Sequence, residues 1–490
     1  MGRWTDGIRL GISVILALSA GGCVEDGARS AAPGAPGTAT PSQATAAVTT
    51  APSGVFEGTV ILGSPTDSSI VVSVASDVAG EAFVEHGPAS GAYTAQTATV
   101  DLGAAVPTEL TLTGLEPDSA WFYRLSFRPA AADAFVVEPE SRFHTQRSPG
   151  SPFSFAVEAD PHVGLDDKAS PELFRVALES VRDTQPDFLV DLGDTFMGDK
   201  MGKGAEGLEA TYATLRDHFG IAGPSVPLYL VNGNHDGEAG WSLADGDASV
   251  AARATSARRL YYPNPERVDF YSGGAPDASV GLRDSSYAWE WGDALFVVLD
   301  PYSATSHKPG PEGDLWDWTL GETQYTWLRD VLSTSTKPYK FVFAHHLIGD
   351  VRGGVVQAGG YEWGGAGADG SDGFEEHRPG WGLPVHDLLV RYGVTIFFQG
   401  HDHLYAREEL DGVVYQTVPQ PATVGGDVGR VAAEYGYLAG VNLPSPGYLR
   451  VTVGVAGVTV DYIHTGLEGS DTSGYANGDV VSSYTVDEGA

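Results

Sequence analysis

Five short clusters of Asp, Asn and His each close a run of apolar residues: Asp160-Pro161-His162, Gly193-Asp194, Gly233-Asn234-His235-Asp236, His345-His346 and Gly400-His401-Asp402-His403. They offer carboxylates, an amide oxygen and several imidazoles, a mixture of hard oxygen and borderline nitrogen donors that suits a pair of transition metals. One cluster alone would say little, because Asn and Asp also favour turns on conformational grounds. Five in series argue for one shared site. Two cations held close together lower the pKa of a bound water and polarise a bound substrate, so metal-assisted chemistry is what such a site would supply.

Something must bring these clusters together. Phe153-Ser154-Phe155-Ala156-Val157, Phe188-Leu189-Val190, Pro227-Leu228-Tyr229-Leu230-Val231, Lys340-Phe341-Val342-Phe343-Ala344 and Thr395-Ile396-Phe397-Phe398 each run into one of them. Such short runs, rich in aromatic and β-branched residues, read as buried strands. Sites in layered α/β folds gather at the carboxyl ends of strands. Residues two apart in extended chain point the same way. On that basis Asp160 with His162, and His401 with His403, each aim two donors at one cluster, while Pro161 and Asp402 face elsewhere.

The motif series, from about Phe153 to the C-terminus, resembles the calcineurin-like metallophosphoesterases. That resemblance implies a layered α/β sandwich and two metal ions (Fe, Zn or Mn). One metal would be held by Asp160, His162, Asp194 and His403. The other would share Asp194 as a bridge and add Asn234, His345 and His401. His235 would be the catalytic residue that is not a ligand. Asp236 is a candidate partner orienting His235 or a ligand imidazole, and His346 a candidate phosphate contact. The purple acid phosphatase branch has a Tyr a few residues after the bridging aspartate; this chain reads Asp194-Thr195-Phe196-Met197, so a tyrosinate-iron centre is not expected.

The rest of the chain divides by composition. Residues 1–22 have Arg3 and Arg9, a short apolar stretch from Ile12 to Leu18 and a small-residue end before Cys23, the only cysteine. This reads as an export leader, and Cys23 as an acylation site like that of bacterial lipoproteins; a secreted form cleaved nearby is the alternative. With one cysteine no internal disulfide forms. Residues 23–54 are Ala, Pro, Thr, Ser and Gly, a flexible tether. From 55 to 147, short alternating strands predict an all-β sandwich, and Gly114-Leu115-Glu116-Pro117-Asp118 leading to Trp121-Phe122-Tyr123 resembles a fibronectin type III turn and strand. The catalytic part spans 152–490. Helical spacing is seen over Pro171–Asp183 and Glu322–Leu332, a hairpin over Tyr287–Leu299 and a last strand near Gly478–Val486. The Gly-rich, aromatic stretch 352–381 is a candidate substrate loop or lid.

The chain's 490 residues carry 64 acidic against 28 basic residues, a formal net charge of −36. Such a surface repels nucleic acid polymers and anionic membranes, so the expected substrate is a small phosphate ester, with membrane contact only through the lipid anchor. A phosphomonoesterase of acid phosphatase type is favoured. A phosphodiesterase acting on nucleotides or lipid head groups is the runner-up, and a non-catalytic surface binding lipoprotein the third reading.

Overall fold

The run Phe153–Glu158 forms a strand whose core-facing residues are almost wholly buried, because aromatic rings press on it from the neighbouring strand and from the facing layer. Phe155 stacks on Phe188 at 5.4 Å and meets Phe296 edge-on at 5.2 Å. Truncating it to Ala would cost about 3–5 kcal/mol. The computed structural model in which these contacts are seen describes residues 56–487, apart from breaks at 165–167, 202–206, 244–248, 267–268, 274–280, 282, 310–312, 350, 426–427, 468 and 470–472. The leader, Cys23 and the tether up to residue 54 lie outside the described residues. No described helix is long and apolar enough to cross a membrane.

Two sheets carry the catalytic part. The first runs in the order Leu228–Leu230, Leu189–Asp191, Phe153–Glu158, Gly447–Gly454, Gly457–His464, Val480–Val486. Its first three strands are parallel, with Glu158 opposite Asp191. The second places Ala294–Val298, Tyr339–Phe343, Ile396–Gln399 and Val413–Thr417 side by side and parallel. The inner faces of both sheets share one apolar core. Helices cover each outer face, Pro171–Thr184 among them on the first and Gly321–Thr334 on the second. This is the expected layered sandwich. The expected hairpin is Tyr287–Trp291 with Ala294–Val298, closed at the Trp291–Ala294 pair.

Residues 58–144 make a two-sheet β-sandwich around its own core, which includes Ile70, Val72, Trp121 and Leu125. It is bound to the catalytic layers within one unit, Ala51–Ala490. Buried Arg216 donates to Thr59 Oγ1 at 2.8 Å and to the Ser73 carbonyl at 2.7 Å. Asp187 accepts a forked pair from Arg147, at 2.7 and 2.9 Å, and a third bond from Trp291 Nε1 at 2.8 Å.

The stretch 352–381 is not an open lid. It folds into the short helices Val355–Ala358, Tyr361–Gly364 and Phe374–His377. Trp363 is buried, meets Phe397 and donates to the Tyr415 hydroxyl at 3.0 Å, while Arg378 pairs with Glu362. Its aromatic residues serve the outer core, because their ring area is worth more buried than exposed. Its first residues do reach the metal-ligand loops, where Arg352 and Gly353 N bond Asp402.

Candidate metal centre

The clustered residues sit where the chain leaves its strands, but not in extended conformation. Asp160, His162, Asp194, His401 and His403 all have positive φ, between 51° and 70°. The left-handed region is costly for residues with a Cβ, of order 1–3 kcal/mol each, and such residues concentrate at functional sites. The two-residue spacing therefore works through tight left-handed turns rather than through strand alternation. Gly233 and Gly400 allow the loops to close. A Cβ on Gly233 would fall 2.3 Å from Asp194 Oδ1, and one on Gly400 2.6 Å from Asp160 Oδ2.

Two groups of donors result. Asp160, His162 and His403 each offer a ligand atom within 4.8 Å of the others, and so do Asp194, His345 and His401. The groups adjoin: His345 Nε2 lies 3.2 Å from Asp194 Oδ2 and 3.7 Å from Asp160 Oδ1, and His162 Nε2 is 3.7 Å from both Asp160 Oδ1 and Asp194 Oδ2. Asn234 is buried directly after Gly233, whose backbone touches the Asp194 carboxylate. Orientation is fixed from behind. His345 Nδ1 donates to the Leu192 carbonyl at 2.9 Å, which turns Nε2 to the cluster. The His401 backbone N donates to Asp160 Oδ2 at 2.7 Å. Asp160 is 0 % exposed and His403 33 %, so the cluster opens on the His403 side.

These residues fit cations. Asp160 Oδ1 and His401 Nε2 are buried without a hydrogen-bond partner, an arrangement proteins avoid unless a further group satisfies them. Burial alone would raise the Asp160 and Asp194 carboxyls, yet His345 and His162 pull both well below the usual range. Burial would likewise depress His162 and His345, but the facing carboxylates push them up to about 10 and about 9. The site concentrates negative charge and attracts positive charge. His401 goes the other way, held well below its usual value by burial and by nearby Arg352, and so keeps a neutral ring able to donate a lone pair.

His235 stands beside the groups and outside them. Its backbone N donates to Asp194 Oδ1 at 2.7 Å, and its Nδ1 donates to Asp199 Oδ2 at 2.8 Å. Asp199 sits in the one-turn helix Gly198–Met201, and its own N–H returns to the His235 carbonyl. The sequence reading did not single out Asp199; its place five residues past Asp194 was the available signal.

Two minor assignments change. Among the described residues no imidazole bonds Asp236. Its carboxylate accepts backbone N–H groups from Gly233, Asp194, Thr195 and Phe196 at 2.7–2.9 Å, and so clasps the two loops together. His346, the candidate phosphate contact, is held by backbone. It is fully buried, Nε2 donates to the Gly353 carbonyl at 2.8 Å, and Nδ1 accepts from Ile348 N at 3.3 Å. Both ring nitrogens are spent on backbone, burial lowers its pKa to about 4, and its ring packs on His401. Phe196, near where a tyrosinate would stand, stacks on Tyr212 at 4.0 Å in the outer core.

A two-sheet sandwich with metal-ligating loops at its carboxyl edge defines the metallophosphoesterase class. The calcineurin-like phosphoesterase model matches residues 153–405, and the chain belongs to that family. Tartrate-resistant acid phosphatase type 5 of Mus musculus is 25% identical over 234 residues, covering 47% of this chain and 59% of that protein. The Oryctolagus cuniculus protein of the same name is 24% identical over 233 residues, 46% of this chain and again 59% of the relative. The chain thus spans under two thirds of these curated relatives. Among solved structures, that of PhoD superposes with a TM-score of 0.63 over 88% of this chain and 90% of the other, at 16% identity, a likeness of fold.

Proposed function

We propose that the protein hydrolyses small phosphate esters, phosphomonoesters foremost, at a dinuclear metal centre. The observation that carries this reading is the pair of adjoining donor groups, Asp160/His162/His403 and Asp194/His345/His401, with a carboxylate-held histidine beside them. One cation would be held by Asp160, His162, Asp194 and His403, the other by Asp194, Asn234, His345 and His401. When bound, the two cations supply an activated water and neutralise phosphoryl charge. The chain does the rest. Asp194, common to the two proposed ligand sets, would keep the positive charges close. Asp199 accepts the Nδ1 proton of His235 and so leaves Nε2 to carry a proton toward a departing alkoxide. Asp236 holds the backbone of both loops in register, so that these groups meet the ester in a fixed geometry. Iron, zinc and manganese all suit the donor set.

The acid phosphatase relatives favour a monoester substrate, and so does the charge of −36, which disfavours polyanionic polymers. We further propose that the protein works outside the cytoplasm, tethered through acylated Cys23 and residues 23–54, with the β-sandwich between tether and catalytic layers. Turnover of a monoester and a diester by metal-quantified protein, wild type and His235→Ala, tests the activity. A monoester preference lost in the variant is expected; full metal content with no turnover of either ester would refute it. Mass analysis of the mature N-terminus tests the anchor, which an unmodified Cys23 would exclude.

A further inference from the structure

A phosphate ester has an organic part, and the loop carrying His235 continues into a place for it. Six residues on, Trp241 lies in the one-turn helix Gly240–Leu243 with its indole partly buried. It is locked to the metal-side loops. Gly240 N donates to the Tyr302 carbonyl at 3.0 Å, and a Cβ on Gly240 would fall 2.6 Å from the Ser303 carbonyl oxygen and 2.7 Å from that of Thr305. The Trp241 ring lies 6.4 Å from Tyr302 and 5.4 Å, edge-on, from Trp318. Tyr302 in turn is 6.2 Å from the ring of His345. The indole is therefore two ring contacts from the cluster and on the loop of the proton donor. Exposed Lys308 places Nζ 5.6 Å from the Trp241 ring centroid, a positive charge in an otherwise acidic chain.

We propose that Trp241 is the platform for the leaving group, and that the preferred substrates are phosphate esters whose leaving group carries a flat ring, aryl or nucleoside. The proposal rests on reading the cluster as an ester-hydrolysing site. A flat ring stacks on the indole while the ester oxygen faces His235. Tyr302 and Trp318 fix the indole, so little ordering entropy is lost on binding.

The test uses full-length, metal-quantified wild type, Trp241→Phe and Trp241→Ala with phenyl phosphate, adenosine 5′-monophosphate and glycerol phosphate. For Trp241→Ala, KM for both flat-ring esters should rise about 5- to 100-fold. The ratio of kcat/KM for phenyl over glycerol phosphate should fall in step, and Trp241→Phe should restore most of it. Equal losses on all three substrates, or an unchanged ratio, would overturn the proposal. A titration with phenyl phosphate followed by tryptophan fluorescence separates it from the hydrolase reading. Quenching lost in Trp241→Ala without turnover by wild type would keep the platform and remove the hydrolase. Quenching unchanged in Trp241→Ala would remove the platform.

Discussion

Replacing Asp199 by Asn is the sharpest probe of how the chain delivers a proton. Asp199 Oδ2 is 2.8 Å from His235 Nδ1, and the two side chains are 27 % and 22 % exposed. A charge-assisted hydrogen bond is worth about 1.5–3 kcal/mol, and partial exposure places this one toward the lower end. An Asn side chain accepts more weakly and lacks the charge that steadies the imidazolium. We expect kcat to fall about 10- to 30-fold, equivalent to roughly 1.4–2 kcal/mol, against about 10²–10⁴-fold for His235→Ala. The assay compares two monoesters on variants of equal metal content. An alkyl phosphate needs protonation of its leaving oxygen, whereas p-nitrophenyl phosphate releases a stable anion. The loss should be large for the first and small for the second. Equal losses on both esters, or an Asp199→Asn variant as active as wild type on the alkyl ester, would refute the assignment of His235 as proton donor and Asp199 as its positioning partner.

Further outcomes follow from the same contacts. Asp194 lies beside a member of each donor group, 3.2 Å from His345 Nε2 and 3.7 Å from His162 Nε2, so for Asp194→Asn elemental analysis should show metal content falling for both ions rather than one. Chelation of the wild type should lower the melting temperature, since a ligand at a hundred times its Kd stabilises the native state by about 2.7 kcal/mol; calorimetry with and without chelator reads this. Asp187→Ala strips Arg147 and the buried Trp291 Nε1 of their acceptor, and denaturant melts should show a loss of about 2–4 kcal/mol. Glu158 and Asp191 are buried opposite each other, and burial raises both carboxyl pKa values, helped by repulsion from Asp191 and Asp160 at Glu158 and from Asp236 and Asp160 at Asp191. Native carboxyls that hold protons more tightly than unfolded ones stabilise the fold at low pH and lose that stabilisation as pH rises through the native value. The melting temperature of metal-free protein should therefore fall from about pH 5 to about pH 8, and Glu158→Gln should flatten the profile.

Much of the scaffold was legible in the order of residues, since apolar runs ending in Asp, Asn or His mark strands that stop at a site. The helix Pro171–Thr184 was readable from the helical spacing over Pro171–Asp183, and the hairpin at Trp291–Ala294 from two apolar runs around Gly292-Asp293. The Gly-rich stretch 352–381 misled because loop-like composition says nothing about whether Trp363 finds a cavity to fill. The extended-chain account of Asp160 and His162 failed because a positive φ is imposed by bonds reaching across the chain. Asp160 receives the N–H of His401, 241 residues away.

Donor identity, the order of the strands that carry the donors and the absence of a tyrosine after Asp194 are properties of local sequence, so the chain alone determined them. The division of donors into two adjoining groups, the pairing of His235 with Asp199, the clasp made by Asp236 and the burial of His346 were decided only in three dimensions. Apolar period reports which face of an element is buried, whereas a side-chain partner depends on which distant loop arrives beside it, and that is set by the packing of whole sheets.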